Sequence, residues 1–210
     1  IYNYQPLRAE LASLGHVFHT HSDSEVLLGA YLRWGEACLR RLAGMFAFAV
    51  WNPRDRSLFL ARDRMGKKPL FHATLPDGTL VFASEMKSIL LFPGVPRDMN
   101  VLAMDRLLDY GFNLAPDTFL KAIHQVPPAH TLFANGSGQT SRPYWDIPMH
   151  GPASNLSVED AAEGLRHHLV EAVRCRLVAD VPVASYLSGG IDSSSVTGLY
   201  SHLSNAPVHT

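Results

Sequence analysis

Four short apolar runs, Met45–Trp51, Ser57–Ala61, Leu70–Thr74 and Thr79–Ala83, crowd the middle of the first half of the chain and are rich in Phe, Leu and Val. Asn52-Pro53-Arg54-Asp55 and Pro76-Asp77-Gly78 punctuate them as turns. Runs of this length, bounded by turn formers, are strands rather than helices, and their close succession predicts an antiparallel meander. The flanks have a different period. Pro6 with Leu7, Leu11 and Leu14 predicts a short amphipathic helix over 5–14 that ends at Gly15. Ser22 and Asp23 cap a second helix carrying Val26, Leu27, Ala30, Tyr31 and Trp34, with a further turn or two through Cys38, Leu39 and Leu42. Beyond the strands, Glu85–Leu91 and Val101–Tyr110 read as helices. Thr131–Ala134 and Thr140–Trp145 read as a hairpin closed by Asn135-Gly136-Ser137-Gly138.

The segment Asp146–Asn155, with its two Pro, a Gly and small polar residues, has the composition of a linker. It divides the chain into a domain over 1–146, a linker over 147–156 and a second domain over 157–210. Ser157 and Asp160 make a capping-box-like start to a helix of about 21 residues, whose Val158, Ala161, Leu165, Leu169, Val173 and Leu177 share one face. Val183–Leu187 predicts a strand, and Ser193–Leu203 resumes a helical pattern.

Composition removes several classes of function. Apolar residues are 47 % of the 210 and Asp, Glu, Lys and Arg only 18 %, which excludes disorder of the charged, weakly hydrophobic kind. Eighteen Lys and Arg against nineteen Asp and Glu leave a net charge of −1, so no nucleic-acid partner is expected. The longest apolar run, Leu42–Trp51, falls well short of the ~20 residues that span a bilayer. Cys38 and Cys175 are the only cysteines and imply neither a disulfide framework nor a zinc site, which fits a reducing, cytoplasmic compartment. The absence of Met at Ile1 predicts a piece of a longer protein, as does Ala206–Thr210, which reads as a strand that stops before it can pair.

The strongest chemical signal is Ser188-Gly189-Gly190-Ile191-Asp192-Ser193-Ser194, between an apolar run and a helix. Glycines let consecutive backbone N–H groups converge on an anion, the helix start adds its positive dipole end, and the Ser188, Ser193 and Ser194 hydroxyls can donate to phosphoryl oxygens. A carboxylate beside phosphate needs a cation between them, so Asp192 predicts Mg²⁺ bridging to a triphosphate. With no GxxxxGK[ST], γ-phosphoryl transfer of the Walker type is not indicated.

That loop, following Asp180-Val181-Pro182-Val183, resembles the pyrophosphatase loop of the glutamine-dependent asparagine synthetase family. Five further blocks resemble the same family in order: Ile1-Tyr2-Asn3, Ser22–Val26, Gly44–Ala49, Arg62–Leu70 and Ala83–Lys87. The resemblance implies a four-layer αββα sandwich of the N-terminal-nucleophile type with antiparallel sheets, followed by the start of a parallel doubly wound ATP-pyrophosphatase sheet. It implies an amidotransferase in which a cysteine, here upstream of Ile1, releases ammonia from glutamine. ATP converts the β-carboxylate of aspartate to an acyl-adenylate, which ammonia then displaces. Residue by residue, Asp23 matches the carboxylate that holds the α-amino group of glutamine, while also reading as a helix cap. Ser188, Gly189, Gly190, Asp192 and Ser193 match the pyrophosphate loop, with Mg²⁺ at Asp192, and Tyr186 and Leu187 match backbone bordering adenosine. Arg62, Asp63, Gly66 and Lys68 match a block read as structural or interface. Implied partners are glutamine, ATP and aspartate, with homodimerisation left open. The chain departs from the family at Ala129 and Ala184, where Gly is frequent. A relative acting on another carboxylate, or a degenerate non-catalytic one, remains an alternative.

Other features are given structural roles. His16, His19 and His21 would sit on two faces of a strand, and His167 and His168 point about 100° apart on a helix, so neither set is read as a metal site. Asn135-Gly136-Ser137 and Asn155-Leu156-Ser157 are a turn and a helix cap. Cys38 and Cys175 are core residues rather than nucleophiles, and Phe46, Phe48 and Trp51 belong to a sheet face.

Overall fold

The computed structural model describes residues 1–149 and 155–210, so the central part of the expected linker lies outside the described residues. The chain divides into two compact units, Asn3–Ile147 and Pro148–Thr210.

The first unit opens with α1 (Tyr4–Ser13) and α2 (Asp23–Trp34), then a 3₁₀ turn over Gly35–Arg40. Ser22 caps α2 by accepting the Ser24 N–H, and Gly35 ends it at φ +57°, a conformation that a side chain would strain. Strands β1 (Ala47–Asn52), β2 (Ser57–Arg62), β3 (Phe71–Thr74) and β4 (Leu80–Ala83) follow. Next come α3 (Met86–Leu90), α4 (Val101–Tyr110), β5 (His124–Gln125), β6 (His130–Asn135) and β7 (Gly138–Pro143).

The strands do not form one meander. They make two antiparallel sheets, β1-β2-β6-β7 and β4-β3-β5, so the predicted run of four strands is two hairpins, one in each sheet. The physical reason lies in the turn after β2, where the chain leaves the first sheet. The free edge of β2 is taken by β6, with Leu60 opposite Leu132 and Phe59 opposite Phe133. The β6–β7 hairpin closes across Asn135 and Gly138, as their turn chemistry predicts.

Alternation along the strands produces the layers. Phe59 and Ala61 face Leu7 and Leu11 of α1 and Val26 and Ala30 of α2. Leu60 and Leu132, on the opposite face, pack against Leu70 and Val126, with Leu80 of β4 beside them. The far face of the second sheet presents Ala73 to Ile89 of α3, together with Leu120 and Ile123. Helices, sheet, sheet and helix therefore stack as an αββα sandwich.

In the second unit Ser157 caps α5 (Val158–Arg176), accepting from the Asp160 N–H at 3.0 Å. α6 spans Ile191–Leu203. The strand expected over 183–187 is reduced to one bridge, parallel, between Ala184 and His209. The segment 206–210 thus does pair, at that one position. With a single neighbour on offer the ladder stops at one rung, and the segment is secured by side chains instead: Tyr200 donates to the Val183 carbonyl at 2.7 Å, and the Ser185 and Thr197 hydroxyls meet at 2.8 Å. No helix among the described residues is long and apolar enough to cross a membrane.

Candidate functional site

In the first unit Asp23, in the first turn of α2, borders a cavity of about 440 Å³, within the roughly 300–1,000 Å³ usual for small-molecule sites. Ser24 and Leu27 of the same helix, Met45–Phe48 running into β1, and Ile1, Lys68, Pro69 and Ser84 complete its walls. The approach to Asp23 is held by Glu25, which accepts the His19 N–H at 2.8 Å, the Thr20 N–H at 2.7 Å and the Thr20 hydroxyl at 2.6 Å. Chiefly that hydroxyl, with the two amides, holds the Glu25 carboxyl down to about 2. Residues 16–22 are therefore not a strand. The His16 ring packs edge-on against Phe18 and lies over Gly29, where a Cβ would come within 3.1 Å of the ring and make it give slightly.

The opposite wall rests on Arg62 and Asp63. The Asp63 side chain is buried and accepts four backbone N–H groups: Met65 at 3.1 Å, Lys67 and Lys68 at 2.9 Å, and Phe46 at 3.3 Å. Arg62 donates to the carbonyls of Lys68 and Gly66 at 2.8 Å and Val126 at 2.7 Å, and to the Gln125 side chain at 3.2 Å. Gly66 adopts φ +61°, and a Cβ there would come within 2.8 Å of Pro128, so the turn admits glycine alone without displacement. Ser24, Lys68 and Ser84 were not assigned to a pocket by sequence reasoning. Their signal was present, since all three fall in the matching blocks, but nothing local says that those blocks meet.

In the second unit the Ser188–Ser194 loop leads into α6. Gly189 takes φ +82° and Gly190 is the helix N-cap with no side-chain bond to the first-turn amides. The Ser188 and Ser193 hydroxyls lie 2.9 Å apart, the Ser188 N–H donates to Ser193 Oγ at 3.3 Å, and Ser193 Oγ donates to the Gly190 carbonyl at 3.1 Å. Asp192 lies in the first turn of the helix. Two hydroxyls, a left-handed glycine and the uncapped start of a 13-residue helix form a donor set suited to an oxyanion. Tyr186 is 99 % exposed and Leu187 is half exposed, and neither ends a strand.

Cys38 is buried in the helix-side core, and burial pushes its thiol up to about 11, far from a nucleophile's range. Cys175 is half-buried and donates to the Ala172 carbonyl at 3.3 Å. Phe46 and Phe48 pack in that same core, whereas Trp51 is more than half exposed.

Residues 1–145 match the family described as a glutamine amidotransferase domain, and residues 164–210 match the family described as asparagine synthase. Asparagine synthetase [glutamine-hydrolyzing] 3 of Bacillus subtilis is 38 % identical over 215 residues, covering 100 % of this chain and 34 % of that protein. Amidase chry2 of Gibberella zeae is 39 % identical over 206 residues, 97 % of this chain and 30 % of that protein. Asparagine synthetase [glutamine-hydrolyzing] 1 of Bacillus subtilis is 37 % identical over 205 residues, 95 % of this chain and 31 % of that protein. The chain spans about a third of the length of the curated relatives it matches. With a sandwich of antiparallel sheets and a match over most of its length, the chain belongs to the glutamine amidotransferase domain family and continues into a segment that matches asparagine synthase.

Proposed function

We propose that the protein carrying this chain is an ATP-dependent, glutamine-hydrolysing ligase of the asparagine synthetase type, working in the cytoplasm with aspartate as acceptor. The observation that carries the reading is Asp23: its carboxylate borders a cavity of small-molecule size, where it can pair with an α-ammonium such as glutamine presents. The loop from Ser188 to Ser193 supports the second half of the reaction. A carboxylate has no leaving group, and adenylation supplies one. The donors of Ser188, Gly189, Gly190 and Ser193 would hold the departing pyrophosphate, with Tyr186 and Leu187 bordering the adenosine. Mg²⁺ beside Asp192 would neutralise phosphate charge and make room for that carboxylate in an anion site.

A reciprocal pair of variants in the full-length protein tests this. Asp192→Ala should abolish amide formation and pyrophosphate release while glutamine hydrolysis continues. Asp23→Asn should raise the KM for glutamine while amide formation from free ammonia continues. Equal loss of both activities in each variant, or no ATP-dependent pyrophosphate release with any carboxylate by the unaltered protein, overturns the reading. Amidase chry2 matches as closely as the synthetases do, so the acceptor assay compares aspartate with other carboxylates. Turnover of one of those in place of aspartate would reassign the acceptor and leave the rest standing.

A further inference from the structure

We propose that Asp63 is a positioning residue for the Asp23 cavity, its single carboxylate setting the separation of two cavity walls that come from distant parts of the chain. The two oxygens are used differently. Oδ1 accepts from Met65 and Lys67, both inside the turn after β2, and that is enough to close the turn. Oδ2 bridges the Lys68 N–H at 2.9 Å to the Phe46 N–H at 3.3 Å. Phe46 and Lys68 both line the cavity, one just before β1 and one at the end of the turn. A residue that only shaped the turn would have no bond to Phe46. The backbone of Asp63 strengthens that link, since its N–H donates to the Phe46 carbonyl at 2.8 Å.

The side chain must be an acid because of what faces it. Four N–H donors converge on a carboxylate that is 1 % exposed. An ionised carboxylate is acceptor only, and these bonds offset the cost of burying its charge. Asparagine has the same shape but turns an NH₂ group toward two of the four donors, so that two close N–H to N–H approaches replace two bonds. The strain falls on the Phe46–Oδ2–Lys68 bridge or on the turn, and either way the cavity walls shift. Nothing at Asp63 touches the cavity directly, so the effect is on binding geometry.

This proposal rests on the reading of the Asp23 cavity as a glutamine site, and the measurements keep the two apart. In the full-length protein, Asp63→Asn should raise the KM for glutamine about tenfold or more, change kcat by less than about threefold, and leave amide formation from free ammonia intact. Hydrogen exchange in peptides covering 45–49 and 64–69 should accelerate together in the same variant, whatever the cavity binds. A purely structural role would instead lower kcat and ammonia-dependent activity in proportion, with KM unchanged. If Asp63→Asn does not accumulate as folded protein, Gly66→Ala serves. It pushes on the turn from the Pro128 side with the carboxylate intact and should raise KM by a smaller factor. An unchanged KM in a folded variant, with 45–49 and 64–69 exchanging as before, overturns the positioning role. Coupled exchange in a protein whose unaltered form does not hydrolyse glutamine would sustain Asp63 as the link between the walls and overturn the glutamine reading alone.

Discussion

Arg62 and Asp63 are adjacent in sequence and divide the polar groups of one turn between them. The guanidinium gathers carbonyl oxygens, those of Gly66 and Lys68 among them, while the carboxylate gathers the N–H groups of Met65, Lys67 and Lys68. Each also reaches a distant segment, Arg62 to Val126 and Asp63 to Phe46. The turn that moves the chain from one sheet to the other is thereby locked to both.

Removing the fork should cost stability at a level set by the carbonyls left bare. Arg62 is 7 % exposed and serves three backbone carbonyls. The bond to the Val126 carbonyl is buried and those to Lys68 and Gly66 are part-buried; at about 1–3 kcal/mol for a buried group left unsatisfied and less for the two that water can reach, Arg62→Met should lower unfolding free energy by about 2–5 kcal/mol in urea titrations of the full-length protein. Arg62→Lys keeps the charge but cannot reach three acceptors in one plane, and should recover less than half of the loss.

Ala129 stands at φ +58° and is buried, a conformation that costs a side-chain-bearing residue about 1–2 kcal/mol. It stays there because its N–H donates to the Asp63 carbonyl at 2.9 Å and its carbonyl accepts from Tyr144 at 2.8 Å. Ala129→Gly should raise stability by about 0.5–1 kcal/mol, the relief of strain exceeding the added chain entropy of the unfolded state. A lowered urea midpoint would mean that packing of the methyl group outweighs the strain.

His72 gives a pH dependence of known sign. It is buried, its Nδ1 has no hydrogen-bond partner among the described residues, and burial with the neighbouring His124 pushes its pKa down to about 4. The unfolded chain, with an ordinary His near 6.5, binds the proton more readily. Stability is therefore full above about pH 6.5 and falls as the pH drops toward 4, by on the order of 3 kcal/mol at most. His72→Phe should flatten the change in urea midpoint between pH 7 and pH 5; an unchanged slope would place the acid sensitivity elsewhere.

If the Ser188–Ser193 loop holds phosphate, Mg-ATP stabilises the folded state by mass action, about 2.7 kcal/mol at a hundredfold excess over Kd. The thermal midpoint of the full-length protein should rise by a few degrees with Mg-ATP. Ser193→Ala removes the hydroxyl that joins Ser188 to the Gly190 carbonyl and should diminish the shift, and Asp192→Ala should abolish it. A full shift in both variants would show that nucleotide binds elsewhere.

Local chemistry was legible wherever one segment decides its own shape. The Ser22 cap of α2, the Asn135–Gly138 hairpin, the Ser157 cap of α5 and the glycine loop ahead of α6 all stand where periodicity and turn residues place them. The strands between Ala47 and Ala83 were legible as strands but not as members of different sheets. A run such as Ser57–Ala61 states which side chains alternate, and says nothing about which edge will pair with it.

The sequence by itself determined the helices, most strand segments of the first unit, the Ser22 and Ser157 caps and the glycine turn ahead of α6, because each depends on backbone preferences and hydrogen bonds within a few residues. Its matching blocks also determined the family. Only the tertiary structure decided that β6 pairs with β2, that the segment at Ala184 is held by one bridge, and that Phe46, Asp63 and Lys68 share one carboxylate oxygen. Arg62 and Asp63 read along the chain only as members of a block given a structural role. In the fold they do not bond to each other, because the buried carbonyls and N–H groups of converging segments offer each a fuller set of partners. Strand pairing and buried polar networks are settled by competition among distant segments for the same hydrogen bonds and the same space, and that competition exists only once the chain is folded.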